Sequence, residues 1–317
     1  MRENLLFSLN STVPLFLLML LGAFFRRIGL MPRDFAERMN TFVFKVALPV
    51  LLFEDLATTD LSEAFDARFV LYCFLVTLLS IGIAALLSIP IRDRGTKGEF
   101  IQASYRSSAA LLGVAFIEQI YGTSGMAPMM ILGAVPLYNI CAVIVLQVTG
   151  NDTEKEASTG KLVLRSLKGI LTNPLIIGIV LGFAFSLLGF TQPKMMSATL
   201  GYLSRLSSPM GLMALGATFS FAGAKKTAAP AIAASLMKLL GFSCLFLPLA
   251  VHLGFRNEEL VAIIVMLGSP TTVASYVMAR NMHHDGDLSA SAVALTTLLS
   301  AFTLTLWLFV TRSLGLI

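Results

Sequence analysis

Charge is what this 317-residue sequence has least of: Asp, Glu, Lys and Arg together make up 13%, against about 25% in soluble domains. Cysteine is scarce too. Cys73, Cys141 and Cys244 each lie inside an apolar run with no CxxC spacing, which excludes a disulfide framework and a cysteine zinc site. No GxSxG, Walker A or HExxH motif occurs, so a serine hydrolase, an ATP-driven pump and a zinc protease lose their usual signatures, and no cofactor is implied. His283, His284, Asp285 and Asp287 resemble metal ligands by type but read as a solvated turn, so no metal site is expected. What fills the sequence is apolar: 56% of residues and a mean hydropathy of +0.82. A soluble enzyme, a disordered chain and a nucleic-acid-binding domain are all excluded on this composition, and a polytopic membrane protein remains.

Spans of about 20 apolar residues, divided at charge clusters, number ten. They centre near Leu18, Val46, Leu78, Leu111, Val143, Val180, Met210, Leu240, Leu267 and Leu299. The first apolar run, Val13 to Phe25, is followed by Arg26 and Arg27, not by a cleavage site, and reads as a retained span. Of the 23 basic residues, fourteen fall in loops after odd-numbered spans and five on the other side. Because basic residues gather in cytoplasmic loops, both termini should be extracytoplasmic, and the polar stretch over 150–164 should be a cytoplasmic linker. The net charge of +5 then argues topology and not nucleic acid.

The two halves repeat at an offset of 160 positions. Pro14, Gly22, Gly29, Lys45 and Pro49 align without a gap on Pro174, Gly182, Gly189, Arg205 and Pro209. With five spans, an odd number, before the linker, the second half must enter the membrane in the opposite sense. The expected fold is therefore all-α, with repeats over 1–149 and 165–317 in inverted topology, a layout typical of secondary transporters.

Spans four and nine are poor as continuous helices. Arg106, Ser107 and Ser108 interrupt one, and Gly268, Ser269, Pro270, Thr271 and Thr272 the other. Irregular backbone at membrane depth is tolerated only against protein or a water-filled cavity, so two breaks in equivalent places predict one central cavity. Ser269 is a fitting N-cap with Pro270 as first helical residue, and Ser107 or Ser108 would cap a half-helix running to Glu118. Helix N-termini attract anions, carboxylates in particular. Four basic residues lie within spans. Arg106, beside the break, is an anion contact or a structural salt-bridge partner. Lys45 and Arg205 touch substrate or snorkel outward, and Lys238 is an intramembrane charge whose partner is not evident. Glu54, Asp55 and Glu118 read as reaching interfacial water. Asn139 contacts substrate or bonds between helices.

VFKVALPVLLFEDLA (43–57), VPLYNICAVIVLQ (135–147), TNPLIIGIVLGF (172–183), SSPMGLMALGATF (207–219) and SPTTVASYVMAR (269–280), in this order, resemble the auxin efflux carrier family and its bacterial malonate or malate permease members. The resemblance implies ten helices in two inverted repeats, scaffold and transport bundles each drawn from both repeats, crossing broken helices four and nine that bind a carboxylate, and elevator-type movement. In the family's span-four pattern R-S-N-x-x-F-x-G-x-P, Arg106, Ser107 and Gly113 are kept, while Ser108 and Ala115 stand for the Asn and the Pro.

The expected function is a secondary carrier of small organic anions in the cell membrane. Its substrate site would comprise Arg106, Ser107, Ser108, Gly113, Asn139, Ser269, Pro270, Thr271 and Thr272, with charge contacts from Lys45, Arg205 or Lys238. A membrane sensor and an anion channel are the competing readings. H+ or Na+ coupling and a homodimer stay open, and no acidic coupling residue is evident near the breaks.

Overall fold

The computed structural model describes residues 2–58, 66–109, 117, 120–121, 125–150 and 168–317, and among them the fold is entirely helical. The elements are α1 (Arg2–Arg27), α2 (Arg33–Phe42), α3 (Leu48–Ala57), α4 (Ala67–Leu87), α5 (Arg94–Tyr105), α6 (Ala127–Thr149), α7 (Pro174–Leu187), α8 (Lys194–Arg205), α9 (Ser207–Thr218), α10 (Phe221–Lys226), α11 (Ala228–Leu236), α12 (Phe242–His252), α13 (Asn257–Gly268), α14 (Ala274–Asn281) and α15 (Asp287–Ser313). Four stretches are continuous, long and apolar enough to cross a membrane: Ala67–Leu87, Ala127–Thr149, Ala228–His252 and Asp287–Ser313. Gly113, Ala115, Glu118 and residues 151–164 of the linker lie outside the described residues.

Helix starts follow local chemistry. Asp66 caps α4, its carboxylate accepting from the amides of Arg68 at 2.9 Å and Phe69 at 3.0 Å. Asn173 caps α7 ahead of Pro174, whose missing N–H costs nothing at that position. Asp93 accepts from the Thr96 amide at 2.7 Å, and the Thr96 hydroxyl and amide hold its carboxyl below the usual carboxylate range. The start of α15 is capped from another helix: the buried Glu99 carboxylate accepts from the amides of Gly286 and Ser289, both at 2.8 Å.

Two π turns interrupt the helical path, Val43–Ala47 before α3 and Met237–Gly241 before α12. The first answers to Pro49, which has no N–H to give the carbonyl four residues back and would crowd it. At the corresponding place in the second half, ahead of Pro209, the path breaks at Leu206 between α8 and α9.

Packing divides the helices into two groups. One holds α1, α2, α3, α7, α8 and α9, with α1 against α9 and α3 against α7; the other holds α4, α5, α6 and α11 to α15, and the two meet where α1 packs along α15. Each draws on both halves of the chain. Glycine sets two of the closest approaches. A Cβ on Gly22 would collide with the Met213 carbonyl oxygen, and one on Gly182 would lie 2.9 Å from that of Phe53. The two glycines are 160 positions apart, and so are the residues they meet.

Gly22→Val should therefore force α1 and α9 apart and lower stability by about 1–3 kcal/mol. Gly82→Val, at a position with nothing within 4 Å, should stay within about 0.5 kcal/mol of wild type. Thermal unfolding in detergent reads both, and an equal fall at the two sites would remove close approach as the cause.

Candidate functional site

Both interrupted segments leave their helices in the same way. Helix α5 ends at Tyr105, and Arg106 turns extended with φ −67° and ψ 142°; α13 ends at Gly268, and Ser269 turns extended with φ −65° and ψ 153°. Ser269 has no choice, because the residue before a proline is pushed out of the helical region. The second half-helix then begins at Ala274, four residues beyond the expected first position, with its amide directed at Thr272 Oγ1 at 3.4 Å. Thr272 takes the capping place that the sequence assigned to Ser269.

The two extended segments cross and bond to each other. The Ser108 amide donates to the Pro270 carbonyl at 2.9 Å. The Thr271 hydroxyl donates to the Ala103 carbonyl at 2.6 Å, and the Thr271 amide donates to Thr296 Oγ1 at 3.0 Å. Gln102 Nε2 donates to the Ser275 carbonyl at 2.9 Å. Pro270 and Thr271 are thus committed to the crossing itself, while Ser269 is fully buried with its hydroxyl unpartnered.

Beside the crossing lies a cavity of about 140 Å³. At about 30 Å³ per water, it holds roughly five waters or a small solute. Arg106, Ser107, Ser108, Tyr138, Asn139 and Thr272 line it from one helical group, and Leu48, Leu51, Leu52, Asp55 and Ser208 from the other. The N-terminal ends of α9, through Ser208, and of α14, through Ala274, border it and contribute partial positive charge.

Arg106 dominates the site. It is 2% exposed. Its guanidinium donates to Asn139 Oδ1 at 2.7 Å and faces the Met278 sulfur, and its Nε has no partner. Among the described residues it has no carboxylate within ion-pair distance. Ser107 Oγ is likewise buried and without a hydrogen-bond partner. Burying a cation without a counter-charge costs several kcal/mol, so this arrangement favours an anion that accepts from Arg106 and Ser107.

The other basic candidates stand elsewhere. Lys45 and Arg205 are exposed and do not line the cavity. Lys238 is 1% exposed and donates to the carbonyls of Leu267 at 2.6 Å and Met266 at 3.2 Å. These lie in the last turn of α13, where carbonyls lack intrahelical donors, so Lys238 is the partner of a helix end. Gly113 lies outside the described residues.

A histidine departs from the sequence reading, and two acids gain a place in the structure. Asp55 lines the cavity, while Glu54 Oε1 accepts from Gln192 Nε2 at 2.9 Å. His284 is not in a solvated turn: it is buried, with its ring nitrogens 3.1 Å from the Gly95 carbonyl and 3.0 Å from that of Leu146. Ser208 carried no signal in the sequence beyond its place beside Pro209.

These features define a multi-pass membrane transporter. The chain belongs to the family whose model is described as "Membrane transport protein" (Mem_trans), which matches residues 7–308 and is of the auxin efflux carrier type. An "Uncharacterized transporter" of Methanothermobacter thermautotrophicus is 25% identical over 305 residues, covering 95% of this chain and 97% of that protein. A "Putative malonate transporter" of Rhizobium meliloti is 25% identical over 316 residues, covering 95% of each. Among solved structures, the sodium proton antiporter MjNhaP1 from Methanocaldococcus jannaschii shares the fold, with a TM-score of 0.59, 16% identity and coverage of 95% of this chain and 96% of that one.

Lys238→Met should leave the Met266 and Leu267 carbonyls without their donor and lower stability by about 1–3 kcal/mol, read by thermal unfolding. A variant as stable as wild type would show that those carbonyls do not depend on the ammonium.

Proposed function

We propose that the chain is a secondary carrier of small organic carboxylates that binds its substrate where the two broken segments cross. The observation that carries this reading is Arg106, a buried cation lining a cavity of about 140 Å³ with its Nε unpartnered beside an unpartnered Ser107 hydroxyl. A carboxylate accepts from a guanidinium in bidentate fashion, and its size class fits the volume. The relative from Rhizobium meliloti, named a "Putative malonate transporter", agrees with that chemistry. In this reading Arg106, Ser107, Ser108, Asn139 and Thr272 face the substrate, Ser269, Pro270 and Thr271 hold the crossing, and Gly113 belongs to the continuation of span four.

Movement follows from where the walls of the cavity belong. Its polar side sits mostly on the group containing α5, α6 and α14, and its other side on the group containing α3 and α9. Sliding one group against the other, in the elevator manner, would carry the site between the two faces of the membrane. Ten spans in two inverted repeats, over 1–149 and 165–317 with a cytoplasmic linker between them and extracytoplasmic termini, complete the proposal. The reciprocal contacts of Gly22 with Met213 and of Gly182 with Phe53 support the repeat.

Purified protein in proteoliposomes should accelerate exchange of labelled malonate against internal unlabelled malonate. Arg106→Ala should weaken malonate binding by about 2 kcal/mol or more, roughly 30-fold. Arg106→Lys, which keeps the charge without the planar fork, should fall between. Ser107→Val with Ser108→Val should weaken binding while leaving the protein folded. Undiminished affinity in Arg106→Ala would remove the site assignment.

A further inference from the structure

Asp55 is the acid that the sequence placed in interfacial water, and it lies on the wall opposite Arg106. It sits one turn from the end of α3, on the helical group that packs around α1, α7 and α9, whereas Arg106 belongs to the other group. The two share the same small cavity. Among the described residues that line this cavity it is the one carboxylate, as Arg106 is the one cation.

We propose that Asp55 is the proton-coupling carboxyl of this carrier, taking up a proton as the anion loads so that anion and proton cross together. The inference rests on the carboxylate-carrier reading, and charge balance carries it. With Asp55 ionised, the described residues that line the cavity bring one negative and one positive charge. Adding a carboxylate to so small a space, and malonate brings two, puts negative charge in excess around one guanidinium. Like charges sharing a site favour protonation of one of them, and Asp55 is the protein's own acceptor. The step balances: the Asp55 carboxylate gains H+ from water on the loading side and releases it when the anion leaves on the other side.

The surroundings leave that role to Asp55. Glu54, its neighbour on α3, is turned to Gln192. Arg106 and Tyr138 face it across the cavity. Helix α7, packed on the same element, carries no titratable side chain, and Lys194, Tyr202 and Arg205 of α8 are exposed.

The test is calorimetric titration of malonate into the purified full-length protein in buffers of different ionisation enthalpy, which counts the protons bound with the ligand. Above the titration of Asp55, wild type should take up close to one proton more per malonate than Asp55→Asn or the alternative neutral variant Asp55→Ser, while Asp55→Glu and Glu54→Gln should behave as wild type. Malonate's own titration is common to all of them, so the difference between variants isolates Asp55. In proteoliposomes the wild-type affinity should fall up to about tenfold per pH unit above the titration of Asp55, and the neutral variants should lose that dependence. Malonate binding without proton uptake, or uptake retained in the neutral variants, would overturn this inference and leave the carrier reading standing. No malonate binding by wild type would overturn the carboxylate reading, and this inference with it.

Discussion

A hydrogen bond between two stretches of non-helical backbone, from the Ser108 amide to the Pro270 carbonyl, is the contact on which the centre of this protein depends. Away from water, every freed backbone group must find a partner or cost several kcal/mol. A single break in a buried helix has to satisfy its orphans with side chains alone. Two breaks brought face to face satisfy part of each other's deficit. Thr271 adds its hydroxyl to the Ala103 carbonyl, Thr296 receives the Thr271 amide, and Lys238 takes the last carbonyls of α13. Breaking one helix at this depth therefore makes sense only if the other breaks beside it.

That reciprocity explains what could be read from the sequence and what could not. Proline, glycine and serine clustered together announce a break, where single prolines such as Pro14 and Pro136 stay inside continuous helices, so both interruptions were legible. The register of the breaks was not. Tyr105 and Gly268, where the helices end, are 163 positions apart, three more than the repeat elsewhere, so Arg106 corresponds structurally to Ser269 and not to Met266, its mate at an offset of 160. That Asp55 lines the cavity was not legible for a different reason: counting residues from a charge cluster measures depth along a span but not the face a side chain takes. His284 was misread because its partners, Gly95 and Leu146, are carbonyls 189 and 138 residues away, and carbonyls carry no sequence signal. Residues 110–116, which include Gly113, lie outside the described residues.

Two buried cations stand near the crossing, and comparing them separates architecture from function. Both are withdrawn from water at a cost of several kcal/mol. Lys238 recovers part of it through two carbonyl oxygens at the end of α13, a place where cations are favoured by the helix dipole as well. Its charge is spent inside the protein. Arg106 has a neutral amide oxygen and a thioether, and nothing at Nε. A protein that needed a positive group there only for packing would do better with an apolar side chain of similar volume.

The same asymmetry runs through the two breaks. Around Pro270 the backbone is met by Ser108, Thr296 and Lys238, although the Ser269 hydroxyl is buried without a partner. Around Arg106, Nε and the Ser107 hydroxyl are buried without partners in two residues that line the cavity. In the proposed reading the first segment is the support and the second the recognition surface. Preorganised open donors held against a rigid backing lose little on meeting an acceptor, because the ordering is already present in the empty site. An anion entering this cavity gains the guanidinium and the hydroxyl without having to build either, and the energy of holding Arg106 unpaired returns as binding.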